Sequence, residues 1–245
     1  MGISFGTARL LRYIVASAAK FSESAVIYVN RDRFTFKAID PSKSALLVLT
    51  VPREVSLQYD VESEQQLAVN LEDLAKVFRS AERDDSVTIS WSESSLTVSF
   101  ERKGFSRVFT LPLASVFEEV PEIEIEYPNT YVIRPNELYE ALAGLKDVGD
   151  VLRVEGDADS VKLRAESELG EAEITLSRER GSLEEAEVNE PDFSVAYTME
   201  LVQHVRPVVR VAERASLRVG PELPLYLKID SHGSSIDFYV APRAE

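Results

Sequence analysis

Ser17 and Lys20 stand three residues apart as Ser-Ala-Ala-Lys, the spacing with which a lysine activates a serine nucleophile in some acyl-transfer enzymes. No Ser-Asp-Asn or Lys-Thr-Gly accompanies them, so the pair reads as ordinary helix surface. Asp157-Ala-Asp159 has the alternating carboxylates that open a calcium loop, but the remaining ligands and the glycine of an EF-hand are missing. A hairpin turn is the better reading. Glu184–Glu187 reads as a solvated acidic loop. The chain has no cysteine and two histidines, His204 and His232, too few for most zinc sites. No phosphate loop or dinucleotide fingerprint occurs. No catalytic residue, metal or cofactor is therefore expected. The enzymatic alternative is a carboxylate-dependent hydrolase, which needs converging carboxylates with shifted pKa values in one pocket. The acids here are scattered.

The chemistry that remains is neutralisation of phosphate by fixed cations. It looks improbable at first, because the 245-residue chain carries a net charge of −15. An acidic protein grips a polyanion only through a local basic surface. Four segments with helical periodicity supply one. In the first, Leu10, Leu11, Ile14, Val15 and Ala18 share one face, and Arg9, Arg12, Ala16 and Lys20 the other. In the second, Leu71, Leu74, Val77, Phe78 and Ala81 lie opposite Glu72, Lys76, Arg79 and Arg83. In the third, Leu138, Leu142 and Leu145 lie opposite Glu140, Ala143 and Lys146. In the fourth, an apolar face runs from Leu201 to Val209, with Glu200, Gln203, Arg206, Pro207 and Arg210 outside or flanking it. These outer faces hold nine cations and three acids, a net +6, so the rest of the chain carries −21. Such a surface suits a loose, sequence-blind grip on a phosphate backbone. Pro207 removes a helical N–H, so a kink or early end is expected there. The third stripe is nearly neutral and a doubtful contact.

The elements that position these cations repeat. The first and third helical segments begin 127 residues apart, near Ala8 and Pro135, and the second and fourth begin 127 apart, near Leu71 and Thr198. Alternating β-branched runs recur between them at nearly the same offset, for example Phe34–Ala38 with Val161–Ala165 and Leu96–Phe100 with Leu223–Leu227. The chain thus reads as two copies of one α+β module, residues 1–117 and 129–245, joined by 118–128. That join is acidic and holds two prolines, and Ile123 and Ile125 alternate with Glu122, Glu124 and Glu126, so an extended connector is expected. No run approaches the ~20 apolar residues of a membrane span. With 44 % hydrophobic residues and no export signal, the default expectation is a cytoplasmic, globular protein.

Ala38–Val48, AIDPSKSALLV, resembles the hydrophobe-Asp-x-Ser-x-x-x-Leu signature of the sliding clamps typified by proliferating cell nuclear antigen (PCNA). Val69–Ala81, Leu145–Glu155, Leu169–Leu176 and the ending Leu223–Arg243, which closes FYVAPR, are similar to the same family. The short connector and tail are most similar to its archaeal members. The resemblance implies a DNA clamp fold of two topologically equivalent α+β domains per subunit, each with two helices on antiparallel sheets. It implies three subunits closing a ring, homo- or heterotrimeric, with the helices lining a hole for double-stranded DNA. It also implies a non-enzymatic processivity factor, in the nucleoid of an archaeon, that tethers polymerase, DNA ligase, flap endonuclease and clamp loader through short peptides. A checkpoint-type clamp or a purely protein-binding scaffold is the alternative.

Carried over residue by residue, the peptide pocket comprises Ile39, Lys43 and Leu46, the connector residues Ile123, Ile125 and Tyr127, and Pro224, Tyr239, Val240, Ala241 and Pro242. The subunit interface is expected where one strand edge, Arg107, Val108, Phe109, Thr110 and Leu111, pairs with another, Glu173, Ile174, Thr175, Leu176 and Arg178.

Overall fold

The computed structural model describes residues 1–114, 120–168 and 170–244. The chain forms two compact units. Unit 1 comprises Met1–Pro41, Leu47–Pro121 and His232–Ser235; unit 2 takes Ser42–Leu46, Glu122–Ser231 and Ile236 onward. The expected boundary at 117/118, the connector residues Glu118 and Glu119, and Leu169 lie outside the described residues.

The first half runs β1 (Gly2–Phe5), α1 (Arg9–Ala18), β2 (Ser24–Val29), β3 (Arg33–Ile39), β4 (Ala45–Pro52), a 3-10 turn (Arg53–Val55), β5 (Gln58–Asp60), β6 (Gln65–Asn70), α2 (Leu71–Arg79), β7 (Ser86–Trp91), β8 (Ser95–Arg102) and β9 (Phe105–Pro112). The second runs β10 (Asn129–Ile133), α3 (Pro135–Leu145), β11 (Val151–Gly156), β12 (Ser160–Ser167), β13 (Gly170–Ser177), β14 (Leu183–Val188), β15 (Phe193–Thr198), α4 (Met199–Gln203), α5 (Arg206–Val209), β16 (Arg214–Val219), β17 (Leu225–Ser231) and β18 (Ser234–Val240). Except for the split fourth helix, the order of elements is the same twice. So is the pairing: β5-β1-β7-β8-β9 corresponds to β14-β10-β16-β17-β18, and β4-β3-β2-β6 to β13-β12-β11-β15. The fold is α+β with antiparallel sheets.

Local signals account for the helices. Asn70 caps α2, its side chain accepting the Asp73 N–H at 3.0 Å. Glu72 and Asp73 occupy its first turn and Lys76 and Arg79 its last, each sign matching the helix dipole. Leu71, Leu74, Val77 and Phe78 of α2 are buried, as are Leu11, Ile14, Val15 and Ala18 of α1. Pro135 opens α3, where its missing N–H costs nothing.

Three expectations are refined. The fourth helix is two short pieces, because Pro207 offers no N–H to the Gln203 carbonyl. Glu184–Glu187 is not a loop: it lies within β14, an edge strand paired only with β10. There Arg214 meets Glu185 at 3.0 Å. Asp157 and Asp159 do form the β11–β12 turn. The Asp157 carboxylate accepts the N–H groups of Asp159 at 2.9 Å and Ser160 at 2.7 Å, and these bonds, Asp159's first, hold its pKa below the usual carboxylate value.

One node in unit 1 was not anticipated. Asp85, fully buried, accepts the Glu82 N–H at 2.7 Å, and its own carbonyl accepts the Ala8 N–H ahead of α1 at 2.8 Å. Its carboxylate pairs with Arg107 of β9, whose guanidinium also donates to the Ser80 carbonyl at the end of α2. One residue, through its carboxylate and its main-chain carbonyl, thus ties both helices to an edge strand. Asp85→Ala would strand the Arg107 charge; a loss of about 3–5 kcal/mol is expected, read as a lowered urea midpoint at unchanged slope.

Candidate nucleic-acid and partner interfaces

The helical cations fall into two kinds. Arg9, Arg79 and Arg83 are exposed and make no ion pair among the described residues. Arg9 and Arg79 lie on α1 and α2, and Arg83 in the turn beyond α2. Others are engaged. Arg12 donates to the Ala81 carbonyl at 2.9 Å. Lys76 meets Glu72 at 2.8 Å and Asp73 at 3.2 Å, and the Glu72 bond, then the Asp73 bond, raises its pKa. Lys20 lies in the turn past the end of α1, and Lys146 caps α3 at 4.0 Å from Asp147. Arg206 and Arg210 of α5 lie over the ring of Tyr139 on α3, with centroid distances of 5.4 and 5.0 Å. Periodicity missed Tyr139 as a functional residue because it sits beside the inward Leu138.

Of the pocket residues, all except Ile39 belong to unit 2. The chain end is laid down there by backbone bonds: the Ala241 N–H donates to the Ser44 carbonyl and the Arg243 N–H to the Ala196 carbonyl, both at 2.8 Å. Pro242 bridges to Tyr197, whose hydroxyl donates to the Leu223 carbonyl at 2.9 Å, bracing the loop that carries Pro224. Lys43 is exposed on a turn with φ of 59°. The connector from Glu122 to Tyr127 has no helix or ladder. Ile123, Ile125 and Tyr127 are half-buried, and Glu122, Glu124 and Glu126 are exposed.

An aromatic stack unites this site. Tyr239 lies on Tyr226 with centroids 4.4 Å apart and an interplanar angle of 11°. Tyr127 packs against Tyr226 at 5.5 Å, and the Arg218 guanidinium lies 5.2 Å from the Tyr226 centroid. The Tyr226 hydroxyl donates to Asp237 at 2.7 Å. Burial, the largest cause throughout, pushes the phenols of Tyr127, Tyr226 and Tyr239 above the ordinary tyrosine value, and Asp237 adds to the shift at Tyr226 and Tyr239. All three phenols are therefore uncharged at neutral pH. Tyr226 and Arg218 were missed; strand alternation placed Tyr226 with the core, and only the stack shows its second role.

Three expected pocket residues are not open to a ligand. Ile39, Leu46 and Val240 are 7 %, 4 % and 0 % exposed. Val240 alternates inward with Ile236 and Phe238 of β18, whereas Ile39 and Leu46 lie on the faces of β3 and β4 opposite Ala38 and Leu47 and are covered there. Pro224, Tyr239, Ala241 and Pro242 remain half-exposed.

The expected interface strands are both edges: β9 ends its sheet, and so does β13. Phe105 and Val108 of β9 are 54 % and 63 % exposed. Phe109, Thr110, Leu111, Glu173, Ile174 and Thr175 keep exposed or half-exposed positions along these edges. Three residues depart from expectation. Arg107 turns inward to Asp85, Leu176 is buried, and Arg178 lies beyond β13 with its guanidinium on the Ala186 carbonyl at 2.7 Å.

Residues 1–116 match the family model of the proliferating cell nuclear antigen N-terminal domain. A PCNA2–PCNA3 complex from Sulfolobus tokodaii contains a chain that superposes with a TM-score of 0.92 over the whole of both chains, at 26 % identity. Over its whole length the chain is similar to the PCNA-type sliding clamps. PCNA from Thermococcus kodakaraensis superposes with a TM-score of 0.89 over 99 % of each chain, at 26 % identity. DNA polymerase sliding clamp 2 of Saccharolobus solfataricus is 29 % identical over 237 residues, 95 % of each chain. The match to PCNA structures runs through both halves, so the repeated order of elements is the PCNA architecture. Among the described residues no helix is long and apolar enough to cross a membrane, and no group of His, Cys, Asp or Glu is placed to hold a metal.

Leu46 is 4 % exposed, so truncating it removes buried apolar surface. Leu46→Ala is expected to cost about 2–5 kcal/mol of folding stability, measured by chemical denaturation.

Proposed function

We propose that the chain is one subunit of a ring-shaped DNA sliding clamp, a non-catalytic platform that encircles duplex DNA and carries replication and repair enzymes along it. The observation that carries this reading is charge segregation on a repeated PCNA scaffold. Arg9, Arg79 and Arg83 stand exposed without ion pairs on a chain of net −15. Fixed guanidiniums on helices grip phosphates without reading bases, and the acidic remainder keeps DNA off the other surfaces.

The two domains of the proposal are 1–117 and 129–245, with 118–128 as connector. Ring closure uses β9 of one subunit and β13 of the next. Unit 2 contains a template for such pairing, because the chain after β18, the counterpart of β9, bonds to Ser44 at the start of β4, the counterpart of β13. The partner subunits are two further clamp chains, identical or not. The sliding clamp relatives carry DNA polymerase in their names, and the Sulfolobus structure is a complex of two different PCNA chains. Polymerase, ligase, flap endonuclease and clamp loader dock through short peptides on the Tyr239–Pro242 surface, with Ile123 and Ile125 beside it and Lys43 at the rim. A cell compartment shared with DNA follows from this role.

Encirclement is tested with nicked circular DNA: the clamp should be retained on circles and released when they are linearised. Arg9→Ala with Arg79→Ala and Arg83→Ala should reduce the slope of log affinity against log salt by about two to three, without sequence preference. Equal retention on linear and circular DNA, or an unchanged slope, counts against the reading. Proline at Val108 or Phe109 tests the closure. Successive N–H groups point to opposite sides of a strand, so one of the two substitutions removes an outward donor. Light scattering should show weaker assembly for that variant. Tyr239→Ala should weaken a polymerase-tail peptide by about 1–3 kcal/mol in calorimetry while leaving assembly intact.

A further inference from the structure

The helical segments of unit 2 offer few cations to a phosphate backbone. Lys146, which caps α3, lies 4.0 Å from Asp147, and α3 has no basic residue in its last turn. What remains is Arg206, which opens α5, and Arg210, which caps it, four residues apart and therefore neighbours on one face. That helix is a single turn. Long flexible side chains on such a short support lose rotamer entropy on every phosphate contact.

The structure compensates with an aromatic surface. Tyr139 on α3 is half-buried, and both guanidiniums lie over its ring at 5.4 and 5.0 Å. The two helices are also joined through α4, where Gln203 Nε2 donates to the Leu142 carbonyl at 2.6 Å, three residues along α3 from Tyr139. The break at Pro207 contributes as well: it ends α4 and lets α5 begin anew, with Arg206 in its first position and Arg210 at its end. Both arginines keep solvent access, Arg210 exposed and Arg206 half-exposed.

We infer that Tyr139 is a positioning residue for DNA contact, holding Arg206 and Arg210 side by side as one preformed phosphate-binding pair. A guanidinium stacked on an aromatic face keeps its edge donors free, so stacking and phosphate bonding coexist. The ring fixes two side chains that would otherwise be ordered only by the ligand. This rests on the reading that the helices face duplex DNA. It adds an uncharged residue to a surface otherwise defined by charge.

The test uses the assembled clamp and a short mixed-sequence duplex, with binding measured by fluorescence anisotropy across a salt series. Tyr139→Leu removes both cation–π contacts and is expected to weaken duplex binding by roughly five- to thirtyfold. Tyr139→Phe keeps the ring face and should stay within about twofold of wild type. Arginine side-chain NMR gives the second readout. The Nε–H resonances of Arg206 and Arg210 should be ring-shifted in wild type and in Tyr139→Phe, and return toward free arginine in Tyr139→Leu. Wild-type affinity in Tyr139→Leu overturns the inference while leaving the clamp reading intact. Weakening in Tyr139→Phe as large as in Tyr139→Leu overturns it too, because the hydroxyl and not the ring would be responsible. Absence of salt-dependent duplex binding by wild type overturns the DNA-facing reading itself, and the inference with it.

Discussion

A strand at the end of a sheet carries a row of N–H and C=O groups that must find partners, and the rest of this structure is arranged around that requirement. The element order occurs twice, so the same edges are generated twice. In unit 2, the chain leaving β18 is met at Ser44 by the start of β4. Their counterparts β9 and β13 have no such partner among the described residues, and β9 carries exposed Phe105 and Val108. Other edges are protected differently. β14 bears Glu184, Glu185 and Glu187, charges that oppose edge-to-edge pairing. The open edge of β9, which holds no acid, is thus set apart from the blunted one by composition as well as position.

The helices meet a second constraint. They must cover the apolar faces of the sheets while offering cations to solvent. In α2 the burial of Leu71, Leu74, Val77 and Phe78 leaves Lys76 and Arg79 outward, and the dipole favours them in the last turn. Fold stability and phosphate affinity therefore draw on the same pattern. Asp85 shows the cost of linking such parts: Arg107 and the Glu82 N–H bond one oxygen of a carboxylate with no exposure, and the other oxygen has only the Arg102 guanidinium 3.9 Å away.

Much of this was legible in the sequence because periods of 3.6 and 2 survive translation into structure. The repeat placed strands and helices in order, and alternation of Ile123 and Ile125 with glutamates predicted the half-buried, extended connector. The helix ends were less legible. Lys20, Arg83 and Lys146 fit the stripes by periodicity, yet each lies past the end of its helix. Cross-strand and cross-helix partners were not legible. Nothing in the order of residues reveals that Arg107 turns to Asp85 or that Tyr226 stacks on Tyr239. Val240 looked like a ligand contact because residues next to a site share its sequence signature; only the facing of β18, which sets it with Ile236 and Phe238, separates it.

The broken fourth helix bears on the order in which the protein folds. Isolated helices shorter than about 12–15 residues are marginal in water, because nucleation costs more than one turn returns. α4 has five residues and α5 four, and neither has a side-chain cap. Both lean on α3, through Gln203 on the Leu142 carbonyl and the two arginines on Tyr139. They therefore form after α3 is docked and not before. α2, the counterpart in unit 1, is continuous, capped by Asn70 and supported by its own ion pairs. Two halves built on one plan acquire their helical layers by different routes, and a transition state for folding should contain α2 far more fully than α4 or α5.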